Sequence, residues 1–352
     1  MLCCLYLMIP SIMAESTSNN LSQDNSSNLQ HQVEELQKNA EEKYLTGDFY
    51  GSIDDLSKAI SIYPDSFASH YDRGLSYAEI GSTDEAIEDF SKCIVINPLS
   101  DQAYNALGTS YYEKGFTMAA IEKFSKALEI NPKNIMAYYN RGIAKQDLEK
   151  DEDAILDFKE TLKLQSDHIS AYLAQATSYY FLKKYTEAIS NYTQALTIDP
   201  KCTDALVGRA LSQYELNKVL EALSDYEQAL DIDPKNSRAW NGLAFIYITT
   251  LDNNYFNILK ADEAATNAVT FNKNPHYLDT LACVYAEKGD FPKAIELEKQ
   301  AFKLKPNAAF LDMIELFEDK KTFRQWKQSL KEILPPMDAT TTVQVTIKNP
   351  SS

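Results

Sequence analysis

Several residue types that could carry chemistry occur in this chain, and the spacing of each set argues against a site. His31, His70, His168 and His276 could ligate a metal or act as bases, but they are scattered and form no HExxH pair on one helix face. A serine nucleophile needs a shaped turn of the GxSxG type, and the sequence has none. Its 10 glycines build neither a phosphate-cradling loop nor a dinucleotide fingerprint. Cys3 and Cys4 belong to the apolar amino end, and Cys93, Cys202 and Cys283 lie apart without a CxxC, so no zinc site or disulfide framework is legible. The expectation is a chain with no catalytic residue, no metal, no cofactor and no small-molecule substrate.

What recurs instead is a phrase: KCIVINPLS at 92–100, KALEINPKN at 126–134, QALTIDPKC at 194–202 and QALDIDPKN at 228–236. Pro64, Pro98, Pro132, Pro200 and Pro234 keep a 34-residue period, with Ser166 on the skipped beat. A tandem array therefore replaces the roughly two domains that the length alone would suggest. Within each copy, as in LSYAEIGSTDEAIEDFSKCIVINP (75–98), one apolar-periodic segment ends at a glycine and a second runs to Asn-Pro. That spacing predicts two helices and a tight turn per copy. Asn or Asp before Pro closes an Asx turn, ends the second helix and re-aims the chain. Small residues return in the first helices at Gly74, Gly108 and Gly142, then at Ala176, Ala210 and Ala244. Large ones return in the second helices at Phe90, Phe124, Phe158, Tyr192 and Tyr226. A mid-helix glycine costs about 1 kcal/mol against alanine, so its recurrence predicts a hole that receives the partner helix's aromatic ring.

Tyr104-x-x-Leu107-Gly108-x-x-Tyr111, followed by Ala120, Phe124 and Pro132, resembles the tetratricopeptide repeat pattern, and Trp240-x-x-Leu243-Ala244-x-x-Tyr247 matches it again. The resemblance covers about residues 33–308 as eight copies, beginning near Val33, Phe67, Asp101, Ile135, Ile169, Thr203, Ser237 and Pro275. It implies an all-α fold, a right-handed α-solenoid of helix-turn-helix units whose inner groove is lined by first helices and grips a peptide or another protein. In that register Tyr71, Asp72, Asn105, Tyr112, Tyr139, Asn140, Tyr180, Tyr214 and Asn241 are the candidate partner-binding residues, with Glu113, Asp147, Phe181 and Glu215 also turned inward. A place inside the helical hairpin is the rival for each tyrosine. Lys38 and Arg238 stand far apart, so the Lys/Arg/Asn clamp with which chaperone-adaptor members hold an acidic carboxy terminus is missing.

With 51 acidic against 34 basic side chains the net charge is −17, which repels nucleic acid at long range and favours a basic or neutral protein partner. Two functions fit. One is a non-catalytic scaffold binding an extended segment of a partner in the concave groove. The alternative is a structural assembly component, self-associating as a homo-oligomer or joining a complex through convex or end surfaces.

Departures from the period mark the ends of the array. Between Pro234 and Pro306 a surplus falls near LDNNYFNILK (251–260), so the seventh repeat is extended. The expectation is an extra helical turn packing Tyr255, Phe256 and Leu259 locally, with a partner-contacting loop as the alternative. Ala264, Ala265 and Glu298 stand where other copies carry an aromatic residue, predicting less regular packing. Beyond Pro306 the stripes Phe310, Met313, Ile314, Phe317 and Phe323, Trp326, Leu330, Ile333, with Thr322 and Gln325 spaced as a capping box, predict a closing pair of helices at 309–334. Residues 335–352 read as a disordered tail. At the other end, residues 1–14 carry no charge and precede a polar, low-complexity linker at 15–32, which reads as a signal peptide cleaved after Ala14 and places the protein outside the cytoplasm, secreted or periplasmic. No Lys or Arg precedes the apolar run, which keeps a cytoplasmic location as the alternative.

Overall fold

The computed structural model describes residues 22–333, and every regular element among them is an α-helix. The chain divides into two compact units after Leu182. In unit 1, α1 (Ser22–Leu45) pairs with α2 (Phe49–Ile62), α3 (Phe67–Glu79) with α4 (Thr83–Ile96), α5 (Asp101–Glu113) with α6 (Thr117–Ile130) and α7 (Ile135–Asp147) with α8 (Asp151–Leu164). The last helix of the unit, α9 (Ile169–Phe181), packs on α8.

The punctuation of these hairpins is chemical. Asn97 accepts a hydrogen bond from the Leu99 amide at 3.1 Å, and Asn131 from the Lys133 amide at 3.0 Å, forming the Asx turns expected around proline. Just beyond, Ser66, Ser100 and Asn134 cap the next first helix by accepting from the amides of Ser69, Ala103 and Ala137. The turn inside each hairpin needs a left-handed residue. Gly81 (φ 75°) and Gly115 (φ 80°) adopt it freely, whereas Glu149 (φ 57°) fills it between α7 and α8 against its Cβ.

The glycine holes are real in unit 1. A Cβ built on Gly74, Gly108 or Gly142 would lie 2.7, 2.6 or 2.5 Å from Cε1 of Phe90, Phe124 or Phe158, and all three rings are buried. An arginine staple adds to this contact. Arg73 places Nε and Nη2 on the Asp89 carboxylate at 2.8 and 2.9 Å and Nη1 on Ser57 Oγ at 3.0 Å, so one guanidinium joins α2, α3 and α4. Arg141 repeats the arrangement on Asp157, at 2.9 and 2.6 Å, and on Ser125, at 3.1 Å. Breaking such a buried pair by removing one partner costs about 3–5 kcal/mol.

Unit 2 holds α10 (Tyr185–Ile198), α11 (Thr203–Glu215), α12 (Val219–Ile232), α13 (Ser237–Thr249), α14 (Ile258–Phe271), α15 (Pro275–Glu287), α16 (Phe291–Leu304), α17 (Ala308–Glu318) and α18 (Phe323–Ile333). Its glycine contacts run in the other direction along the chain. Ala210 carries a Cβ where unit 1 has glycine, and the Tyr226 ring instead packs forward against Gly242, where a Cβ would lie 2.2 Å from Cζ. Tyr192 meets Gly208 in the same way at 2.3 Å. The arginine staple returns as Arg209 on Asp225, 2.7 Å through each of two nitrogens.

The surplus residues form no extra helical turn. Thr250 leaves α13 in an extended conformation (ψ 138°), the Asn257 amide returns to the Tyr247 carbonyl at 3.0 Å, and the Asn257 side chain caps α14. Tyr255 and Phe256 pack on the core, but Leu259 is 80% exposed. Nor is the packing thinned where aromatics are missing. Ala261, Ala264 and Ala265 are buried against α13, within a continuous apolar cluster reaching from Leu206 to Phe317. The Thr322 capping box forms reciprocally, with the Thr322 amide donating to Gln325 Oε1 at 2.9 Å and the Gln325 amide to Thr322 Oγ1 at 3.2 Å. At the amino end, α1 starts at Ser22, inside the stretch assigned to a linker, because that polar run contains no proline or glycine to stop it. Residues 1–14 and 335–352, on which the signal and tail readings rest, lie outside the described residues.

At Glu298 an acid takes the place of the aromatic. Its side chain is 0% exposed and faces Asp279, whose own carboxyl is raised by burial; burial first, and the neighbouring Asp279 carboxyl second, hold Glu298 well above the ordinary carboxylate range. The unfolded chain would hold this proton only below about pH 4.3. The stability that depends on this proton is therefore complete below that pH and is lost progressively as pH rises above it. In urea melts of unit 2 at pH 5 and pH 8, wild type is expected to be weaker at pH 8, and Glu298→Gln to remove most of that difference. In unit 1, Phe124→Ala is expected to cost about 3–5 kcal/mol in the same assay.

Candidate protein-binding surface

The first helices of neighbouring hairpins touch in unit 1, α1 with α3, α3 with α5, α5 with α7 and α7 with α9, which lines up equivalent positions as rows. The rows differ in depth. Tyr71, Asn105 and Tyr139 share one helical phase, and that phase points into the packing. Tyr71 stacks on Phe67 (5.8 Å between centroids) and tilts against Phe90 (5.6 Å). Tyr139 is 8% exposed, between Phe158 (6.1 Å) and His168 (4.9 Å). Asn105 is 4% exposed and accepts from Asn140 Nδ2 at 3.3 Å. The groove assignment of Tyr139 and Asn105 is thereby corrected: the side of each first helix that faces its own second helix and the next first helix is interior, and these residues sit on it.

The row closer to solvent lies seven residues, about two turns, further along each helix. Tyr44 Oη donates to Glu79 Oε1 at 3.2 Å, Tyr112 Oη donates to the Asp147 carboxylate, and Gln146 Nε2 donates to Ser178 Oγ at 3.0 Å and the Ala174 carbonyl at 3.1 Å. Tyr180 lies edge-on to Phe181, at 6.0 Å. Beside this row Glu79, Glu113, Asp147 and Phe181 are exposed, Phe181 by 64%. Asp72 is half-buried near Glu41; burial first, and the Glu41 charge second, push its carboxyl up to about 7. Glu113 is raised too, by burial and then by Glu79.

The cations on the same helices point elsewhere. Arg73 is held by Asp89, Arg141 and Lys145 by Asp157, Lys43 by Asp55 and Lys114 by Asp84. Among the described residues no ion pair reaches Asp72, Glu79, Glu113 or Asp147. The arginine staples were missed in the sequence, although Arg73, Arg141 and Arg209 stand two periods apart and each has an acid at the same distance ahead of it.

In unit 2 the equivalent row holds Tyr214, whose hydroxyl lies 3.1 Å from Thr249 Oγ1 and whose ring is edge-on to Phe245 at 5.8 Å. Asn241 is half-buried, with Oδ1 shielded and without a hydrogen-bond partner among the described residues. Arg238 is paired with Asp204 at 2.7 Å.

Family descriptions match along the chain: a tetratricopeptide repeat at 67–98, 173–244 and 275–307, and a TPR repeat at 110–149. The chain is a tetratricopeptide repeat protein. Solved structures share this fold. A tetratricopeptide repeat protein from Parabacteroides merdae is 16% identical with a TM-score of 0.53, over 82% of this chain and 99% of that one. The C-terminal part of a TPR repeat-containing protein from Cytophaga hutchinsonii gives 18% and 0.55, over 69% and 98%. A chain of the APC/C Cut9–Hcn1 hetero-tetramer gives 15% and 0.58, over 76% and 52%. No curated protein matches the chain. As a tetratricopeptide repeat protein it is a protein–protein interaction scaffold, with protein or peptide partners, in a family typically without catalysis.

The two kinds of row predict opposite outcomes. Tyr139→Ala leaves a buried cavity and is expected to lower the thermal midpoint by several degrees, whereas Tyr112→Phe on the exposed row is expected to leave it nearly unchanged. Asp72 holds its proton in the fold up to about pH 7 but in the unfolded chain only to about 3.9. Its contribution is thus complete in acid and lost as pH rises through 7, so Asp72→Asn is expected to flatten the fall of unit 1's midpoint between pH 5 and 8 in calorimetry.

Proposed function

We propose that unit 1 binds an extended, basic segment of a protein partner across the last turns of its first helices. The observation that carries this reading is the exposed file of carboxylates Glu79, Glu113 and Asp147 at the ends of α3, α5 and α7, beside Arg73, Lys114, Arg141 and Lys145, which are turned to other acids. Tyr112 and Tyr180 flank the file with apolar area and a polar tip, the combination that suits a partner's side chains and backbone. Packed helices lie about 8–10 Å apart and an extended chain advances about 3.3 Å per residue. A partner with a basic residue at about every third position would meet each carboxylate in turn. The net charge of −17 draws such a segment in from a distance and repels a polyanion.

Calorimetric titration of the full chain with synthetic 12-residue peptides tests this. A peptide with Arg at every third position is expected to bind at least about tenfold more tightly than its Glu counterpart and to weaken with salt. Glu113→Lys with Asp147→Lys should reverse that preference at an unchanged thermal midpoint. Equal binding of both peptides to wild type contradicts the reading.

Self-association is the second reading, supported by Val95, Met118 and Leu156, large apolar side chains exposed on the second helices of unit 1. A concentration-independent monomer in sedimentation would remove it. We further propose that residues 1–14 direct export, since they are uncharged and end at Ala14. The mature chain is then expected to begin near Glu15, and intact Met1 on cytosolic protein would refute it.

A further inference from the structure

The carboxyl end of α13 is finished differently from its counterparts. Elsewhere the chain turns back through a left-handed residue, as at Gly115, Glu149 and Gly289. Here the insertion replaces that turn, and Thr249 and Thr250 are buried although Glu113 and Lys114, at the same phase in α5, are exposed. Buried carbonyls at a helix carboxyl end need donors, and the partial negative charge of the helix end favours cationic ones. They come from α18. Arg324 Nε donates to the Thr250 carbonyl at 3.0 Å and Nη2 to Asn253 Oδ1, Lys327 Nζ donates to the Thr249 carbonyl at 3.4 Å, and the Arg324 guanidinium lies 4.0 Å from the centroid of the Phe256 ring. Phe323 rests on the edge of the apolar cluster and meets Trp326 at 5.4 Å.

α18 is held less firmly than the repeat helices. At 11 residues it is, like them, too short to hold its shape alone, so it exists as a helix by docking. Its long-range bonds are few, polar and only part-buried, and Trp326 and Leu330 are half-buried, whereas the other helices of unit 2 share an apolar cluster that runs from Leu206 to Phe317. Such an element opens at a lower free energy than the body of the fold. The features that hold it, two carbonyls and an aromatic face, recognise an arrangement and no particular backbone: aromatic at one position, Arg or Lys at the next, then an aromatic and a second cation three residues beyond the first. A chain of net charge −17 favours a cationic helix in the same place.

We propose that the carboxyl end of α13 and the 250–257 insertion form a second docking surface, for a partner helix with an aromatic-cation-x-aromatic-cation face, which α18 occupies until such a helix displaces it. This surface is separate from the carboxylate file of unit 1 and stands or falls without it.

The test uses the full chain with Trp240→Phe, so that Trp326 is the only tryptophan of the original 2. The probe is a peptide of residues 319–333 carrying Trp326→Phe, and the control peptide adds Arg324→Glu and Lys327→Glu. The probe is expected to raise acrylamide quenching of Trp326 several-fold as α18 leaves, and the control to have no effect. Phe256→Ala in the receptor should weaken the probe about tenfold, and Arg324→Ala with Lys327→Ala in the receptor, which frees the site, should strengthen it about tenfold, both read by calorimetric titration of the probe. Unchanged quenching at saturating probe, or an equal effect of the control, overturns the inference. So does loss of the main thermal transition in the Arg324→Ala, Lys327→Ala receptor, which would make α18 part of the fold's core. If instead the mass doubles with chain concentration while Trp326 stays as protected as before, the occupant is a second copy's α18 and the foreign partner is ruled out.

Discussion

A phenylalanine ring laid directly on a glycine backbone is the contact on which the rest of unit 1 depends. With Phe158 Cε1 only 2.5 Å from where a Gly142 Cβ would sit, α7 and α8 are as close as side-chain size permits, and no other residue fits at 142 without moving the ring. The closeness fixes the rotation of both helices about their axes. That rotation sends Tyr139 inward and Asp147 outward, and it brings Arg141 to Asp157. The exposed carboxylate file is therefore a by-product of core packing repeated at a constant period. Unit 2 uses the same device with the direction reversed, Tyr226 on Gly242, because Ala210 has closed the backward hole.

Much of this was legible in the sequence where one residue type has one physical use. Gly108 with Phe124, Asn131 before Pro132 and Thr322 ahead of Gln325 each announced a hole, a turn and a cap, and each is formed. Tyr139 and Asn105 are buried because of their place along the helix and not because of their facing: Tyr112 and Gln146, seven residues on, point almost the same way but lie closer to solvent. A tyrosine or asparagine is compatible with either depth, so residue type does not tell the two apart. The arginine staples escaped because they recur in every second repeat and so break the simple period. The way Arg324 and Lys327 reach back to α13 could not be read at all, since nothing in the local sequence ties residues so far apart.

Charge and packing are divided between the two faces of the first helices. Inside, Lys43, Arg73, Arg141 and Lys145 each face a buried acid, and losing either partner strands a charge. Outside, acids accumulate without cations, and Asp72 and Glu113 are held above their ordinary range because burial and neighbouring carboxylates oppose their ionisation. A basic ligand relieves that opposition, so binding and ionisation of these groups reinforce one another.

The most direct test of this account is hydrogen exchange of the full chain with and without a saturating peptide that carries Arg at every third position. The account predicts added protection in the last turns of α3, α5 and α7, around Glu79, Glu113 and Asp147, with the second helices unchanged. Protection confined to the second helices, or spread evenly over the array, would contradict it.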